Sequence, residues 1–158
     1  MGKGSLPQRR RRAREIALQL IYQLDLRPAL TPNEAIEMFP WGDEREDVAE
    51  YAGFLVRAVA RHTDDIDSLL REYIVGWRTE RMVAVDRASI RLALCEGLIE
   101  RKVPLAVAIS EAVELTKMFG TVESGSFVNG VLGRIVRSVE STDRNSEKTA
   151  GENGSHDV

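Results

Sequence analysis

Apolar side chains recur with the period of an α-helix through nearly all of residues 9–140, and no stretch alternates as a β-strand would. The first helix is predicted over residues 9–26. Thr31, followed by Pro32 and by Glu34 three residues on, has the spacing of a capping box with proline in the first turn, which predicts the start of a second helix. This periodicity restricts the chain to an all-α fold.

Five further helices are predicted downstream, which makes about seven joined by short loops, in a compact helical bundle. Gly120 follows the sixth helix and is expected to supply a left-handed C-terminal cap. The residues that signal the start of the third to the seventh helix are Asp43, Thr63, Thr79, Pro104 and Ser124.

Composition divides the chain into three parts. We expect a flexible leader over residues 1–8, a helical domain over 9–140 and a disordered polar tail over 141–158, which is too poor in apolar residues to fold. No apolar run approaches the roughly 20 residues that a membrane-spanning helix needs, and no signal peptide is recognised. The single cysteine, Cys95, lies in an apolar periodic stretch and is predicted to be a core residue of a cytoplasmic protein.

Arginine is concentrated at the start of the first predicted helix. Residues 9–12 are all arginine and Arg14 follows, although the chain as a whole carries a net charge of −3. Five guanidinium groups this close repel one another unless an anion is present, and each presents a fork of donors that suits phosphate. The cluster therefore indicates a nucleic-acid backbone as partner.

Residues suited to catalysis or to metal binding do not occur in a usable pattern. The acidic residues at 64, 65 and 67 are interpreted as complements to the dipole of a helix start. Glu111 and Glu114 share a helix face but have no histidine or second acidic helix beside them, and no phosphate-binding glycine loop is present. We therefore expect no enzyme, no cofactor and no metal.

The turn between the last two predicted helices is bracketed by Phe119 and Phe127. Aromatic rings near a basic surface can stack on unpaired bases, which is how single-stranded RNA is mostly recognised. Both rings could equally be core residues beneath the turn, and the spacing leaves the two interpretations open.

Three segments resemble the NusB family of bacterial transcription antitermination factors. The first runs from Arg10 through Glu15 to Tyr22, the second from Trp77 to Glu96, and the third from Ile109 through Phe119-Gly120 to Leu132. They occur in the family's order and spacing and together span about residues 9–136.

The resemblance implies a non-enzymatic fold of two three-helix bundles. It implies binding of single-stranded boxA RNA from ribosomal RNA operon transcripts together with NusE, a ribosomal protein, so that RNA polymerase reads through terminators. Whether the free protein is a monomer or a homodimer stays open. By position, the implied RNA-binding residues are Arg10, Arg11, Arg12, Phe119, Glu123 and Phe127, and those at the NusE interface are Tyr22 and Asp86.

Two features qualify these assignments. The family turn often carries two acids before the serine, and Val122 replaces the first of them. Asp86 is expected to be exposed, because a buried position would isolate a charge.

Three alternatives remain. Similar modules act with RNA cytosine methyltransferases. A helical DNA-binding regulator would read bases from a helix bearing Arg87 and Arg91. A scaffold that binds only proteins would not bind nucleic acid.

Overall fold

The computed structural model describes residues 4–153, which form α-helices and no β-strand. The all-α prediction is confirmed, with six α-helices where about seven were predicted. They are α1 (Leu6–Leu26), α2 (Pro32–Met38), α3 (Glu46–Tyr73), α4 (Ala84–Leu94), α5 (Leu105–Phe119) and α6 (Ser124–Asn153).

Helix α1 begins earlier than predicted because Ser5 caps it. The Ser5 hydroxyl accepts from the Gln8 amide at 3.3 Å, and the Gln8 side chain accepts from the Ser5 amide at 2.8 Å. This reciprocal pair is a capping box, so residues 6–8 of the expected flexible leader are helical. Residues 1–3 lie outside the described range. The capping box predicted at Thr31 and Glu34 is confirmed.

The predicted third and fourth helices are one continuous helix, α3. Thr63, expected to cap a new helix, instead donates its hydroxyl to the Val59 carbonyl at 2.7 Å, one turn back in the same helix. The acidic residues that follow it therefore lie in a helix interior and not at a helix start. Asp67, the buried one of the three, pairs with Arg91 instead of complementing a dipole.

The predicted fifth helix is divided into a 3₁₀ turn (Thr79–Arg81), α4, and a π-helical segment (Cys95–Ile99). Gly97 in the π-helical segment lies close against the start of α5. A Cβ at this position would lie 2.8 Å from the Cβ of Ala108, so only glycine permits the contact.

The six helices form two three-helix bundles, as predicted. In the first, α1, α2 and α3 pack on one another; in the second, α4, α5 and α6 do so, and α4 also contacts α1 and α3. Fully buried side chains from both bundles meet in one core, among them Ile16, Leu55, Ile90 and Leu132. Cys95 is buried there as expected, and burial raises the pKa of its thiol to about 12.

Helix α6 continues to Asn153, through most of the segment expected to be a disordered tail. Side chains 141–151 are exposed, so they add nothing to the core. No proline interrupts the helix, and the hydroxyls of Thr142 and Thr149 donate to carbonyls one turn back. Residues 154–158 lie outside the described range.

Across residues 4–153, no helix combines the length and apolar character needed to cross a membrane.

Candidate nucleic-acid interface

The first three turns of α1 present the arginine cluster, defined here as Arg9, Arg10, Arg11, Arg12 and Arg14. Successive residues of a helix point about 100° apart, so the five side chains face different neighbours. Four of them lie at or near the surface, and only Arg14 is buried.

Arg14 is a structural residue and not part of the exposed cationic surface. Its Nε lies 2.8 and 3.0 Å from the two carboxylate oxygens of Glu96, and the Tyr51 hydroxyl donates to the same carboxylate. Burial opposes the charge of Arg14, but the hydrogen bond and charge of Glu96 outweigh it and raise the pKa of the guanidinium. Burial, followed by the Glu96 contact, raises the pKa of Tyr51.

Arg11 and Arg12 are each held by carboxylates from other parts of the fold. Two nitrogens of Arg11 contact the two oxygens of Glu111 on α5, both at 3.1 Å. Arg12 Nε lies 2.7 Å from Glu44, in the loop before α3, and a second nitrogen lies 3.1 Å from Glu15. Hydrogen bonds to Glu111 and Glu44 respectively raise the pKa values of these two guanidinium groups.

Arg9 and Arg10 contact α3 in different ways. Arg9 pairs with Asp47 at 2.8 Å. Arg10 lies over the ring of Tyr51, with its guanidinium carbon 3.9 Å from the ring centre, in cation–π geometry.

The repulsion expected within the cluster is thus relieved by the protein's own carboxylates. The pairs of Arg9, Arg11 and Arg12 are partly exposed, with 56% of the Arg11 side chain and 43% of the Arg12 side chain accessible. Ion pairs this open to solvent contribute little stability, so a phosphate can displace the carboxylate at low cost.

The turn between α5 and α6 is held by Ser124. The Ser124 hydroxyl accepts from the Thr121 amide at 2.9 Å. Gly120 has φ −99° and ψ −169°, so the left-handed cap expected there is wrong. Glycine is required for a steric reason instead, because an added Cβ would lie 2.5 Å from the Ser124 hydroxyl oxygen.

The two phenylalanines of the turn differ in exposure. Phe119 is 38% exposed, whereas Phe127 is half-buried and packs against the core. Glu123 is exposed, and its carboxylate lies 3.3 Å from the Thr121 hydroxyl. Val122, where the family often carries an acid, is almost fully exposed.

The turn lies beyond the point where the arginine cluster contacts α5. Arg11 meets that helix at Glu111, and Phe119 follows eight residues later, about 12 Å along the helix axis. One strand of nucleic acid is long enough to contact both.

The two residues expected at a protein interface lie on other parts of the fold, Tyr22 near the end of α1 and Asp86 at the start of α4. Tyr22 is 38% exposed. Asp86 is only 6% exposed, so its expected exposure is wrong, and its Oδ1 is the one buried side-chain oxygen or nitrogen within residues 4–153 that has no hydrogen-bond partner. It sits in the first turn of α4, where the helix dipole favours an acid.

A charged network beside Asp86 was not predicted from the sequence. Asp25 on α1 accepts hydrogen bonds from Arg87 and Arg91, and Arg91 also pairs with Asp67 on α3 at 2.8 Å. Asp67 and Asp25 lie 24 and 66 residues from Arg91 in the chain, so no local sequence pattern indicates that they pair with it. The two arginines considered as a base-reading face for DNA are therefore engaged inside the protein.

Comparison with known proteins gives one consistent result. The profile of the NusB family matches residues 11–137. Transcription antitermination protein NusB of Symbiobacterium thermophilum is 44% identical over 140 residues, covering 83% of this chain and 91% of that protein.

Two solved structures have the same fold. T. maritima NusB superposes with a TM-score of 0.73 at 33% identity, covering 81% of this chain and 90% of that one. A second, described as antitermination factors NusB and NusE in complex with dsRNA, has a TM-score of 0.72 at 29% identity, covering 83% and 98%.

Proposed function

Because the chain belongs to the NusB family, we propose that it binds boxA-like single-stranded RNA of ribosomal RNA operon transcripts together with NusE and promotes read-through by RNA polymerase. The observation that carries this proposal is the arginine cluster beside the aromatic turn, in a chain similar to a NusB solved with NusE and dsRNA. The protein acts by binding and not by catalysis, in the bacterial cytoplasm where transcription takes place.

The RNA-binding surface consists of Arg10, Arg11 and Arg12 for the phosphates, and Phe119, Glu123 and Phe127 for the bases. Its support is the solvent-open pairing of Arg11 and Arg12 and the exposure of the Phe119 ring. Phosphate oxygens replace carboxylate oxygens at guanidinium groups whose donor geometry is already suited to them.

The NusE-binding surface lies toward the other end of α1. Tyr22 follows Arg10 by twelve residues, about 18 Å along the helix axis, so RNA and protein can bind at the same time. The partnerless Oδ1 of Asp86 supports this location, because a buried acceptor without a donor is costly and a donor from the partner would satisfy it.

Residues 9–140 form the functional unit. The family profile, over residues 11–137, falls within this range. The exposed end of α6, beyond the core, is not required for either contact.

The proposal is tested by titrating labelled boxA-like single-stranded RNA, RNA duplex and DNA duplex of matched sequence with the protein, with and without NusE. We expect the single strand to bind most tightly and NusE to tighten that binding. Preference for the DNA duplex would favour a DNA-binding regulator. A protein that binds NusE but binds none of these nucleic acids would favour a protein scaffold.

Replacing Phe127 with alanine should lower RNA affinity by about 1–3 kcal/mol, because a base loses its stacking surface. Since the ring is half-buried, unfolding in urea is measured alongside RNA titration. Tyr73→Ala is the matched control: it removes a half-buried ring at the far end of α3 and should leave RNA affinity unchanged. A folded Phe127→Ala protein with parental affinity contradicts the stacking role.

Replacing Tyr22 with alanine should weaken NusE binding by at least about 1–2 kcal/mol, as truncation of an interface tyrosine typically does. RNA binding by the isolated chain should not change. Tyr22 is preferred over Asp86 for this test because a lysine at the buried Asp86 would disrupt folding. Met38→Ala, which shortens an exposed side chain on α2, serves as control. Parental NusE affinity in the Tyr22 variant would show that this surface is not the interface.

A further inference from the structure

Two aromatic rings on α3 lie side by side next to the arginine cluster. The rings of Tyr51 and Phe54 have centres 6.1 Å apart and planes inclined by 24°. Each ring carries a cation: Arg10 over Tyr51 at 3.9 Å, and Lys102 over Phe54, with its Nζ 4.7 Å from the ring centre. All four residues line one solvent-open cavity of about 360 Å³, called here the α3 cavity.

The buried Glu96 fixes both sides of the α3 cavity. Its carboxylate accepts from the Tyr51 hydroxyl, and its backbone carbonyl accepts from the Lys102 amide at 2.9 Å. The second bond is possible because Arg101 adopts φ +51°, in the left-handed region, and reverses the chain after the π-helical segment. This hydrogen bond holds the backbone of Lys102 at the edge of the α3 cavity.

The two cations of the α3 cavity differ from the rest of the arginine cluster. Arg9, Arg11 and Arg12 each pair with a carboxylate, whereas across residues 4–153 neither Arg10 nor Lys102 takes part in a salt bridge. Both rest on aromatic faces and keep their hydrogen-bond donors available for an anion.

Two acids also line the α3 cavity. Asp47 is engaged by Arg45 and Arg9, which lower its pKa, so its charge is already balanced. Glu50 is exposed at the rim. The cavity therefore presents two available cations and two aromatic rings against one acid.

We infer that the α3 cavity is an additional nucleotide subsite for the single-stranded RNA of the proposed function, on which this inference rests. Arg10 and Lys102 contact one phosphate from two sides. Lys102, on its flexible stem, leaves the face of Phe54 for that phosphate, and a base stacks in its place. Arg10 belongs to both surfaces, so the RNA continues from the arginine cluster onto α3.

The test compares a short boxA-like RNA with the same RNA extended at either end, using the intact protein and fluorescence anisotropy over a range of salt concentrations. Lys102→Gln should lower affinity for one extended RNA about 3- to 10-fold, and its log–log salt slope should flatten by roughly 0.7, the value for one phosphate contact. Phe54→Leu should weaken binding of the same RNA about 5-fold or more. Lys148→Gln, which removes a lysine from the exposed end of α6, should change neither quantity.

The outcomes separate this subsite from the proposed function. If Lys102→Gln binds every RNA with the parental affinity and salt slope while Arg11→Ala is weakened, the α3 cavity is not a subsite, although the chain binds RNA. A loss of stability in Lys102→Gln without a change in salt slope means that the lysine only supports the loop, and it also overturns the inference. If the parent binds none of the RNAs, the subsite and the proposed function both fail.

Discussion

Replacing Glu96 with alanine should lower the free energy of unfolding by about 3–5 kcal/mol, the range typical of removing one partner from a buried ion pair. Glu96 is 1% exposed and accepts from both Arg14 and Tyr51. Without it, the Arg14 guanidinium stays buried with only a 3.8 Å contact to Glu111, and the Tyr51 hydroxyl loses its acceptor.

This prediction is measured by urea unfolding followed by circular dichroism. Glu114→Ala is the matched control, because it breaks an exposed pair with Lys117 and should cost no more than about 0.5 kcal/mol. If the two variants are equally stable, the buried network does not hold α1, α3 and the π-helical segment together.

Replacing Arg10, Arg11 and Arg12 together with alanine should lower affinity for single-stranded RNA by roughly 100-fold or more. Each charge-assisted contact contributes about 1.5–3 kcal/mol, and part of that is offset by the carboxylate pairs that RNA must first displace. The log–log salt slope should flatten by about 2, since each phosphate contact to a single strand contributes about 0.7.

The control is the triple lysine variant, which keeps the three charges but loses the forked donors. We expect it to retain most of the salt slope and to bind less tightly than the parent. Circular dichroism establishes that both variants are folded. A triple alanine variant with the parental slope and affinity would remove the arginine cluster from the RNA-binding surface.

Local signals in the sequence predicted the fold class and the starts of α2, α5 and α6. The Thr31 capping box was recognised because every residue that forms it lies within four positions. Thr63 misled the prediction because a threonine side chain can cap a new helix or bond back one turn within the same helix, and only packing along α3 decides between them.

Long-range contacts were the part that the sequence could not provide. The cluster of arginines was evident, but its neutralisation by Glu44, Asp47 and Glu111 depends on how three other parts of the fold approach α1. Asp86 was expected to be exposed on the general argument that a lone buried charge is unfavourable, yet it is buried with one oxygen unpartnered. Such an exception is typical of functional positions and cannot be read from residue type.

If Arg11 and Arg12 bind RNA as proposed, the carboxylates that cover them act on every RNA alike. Because each RNA must displace them, they leave the ratio of affinities between target and non-target sequences unchanged. They weaken the binding of all RNAs together, however. For transcripts that contact only the arginines, the dissociation constant then exceeds the transcript concentration, and the protein is left unoccupied. An RNA that also contacts the aromatic turn binds more tightly, so its concentration still exceeds its dissociation constant. On the proposed surface, competing transcripts that contact only the arginines would therefore leave the protein free for its target.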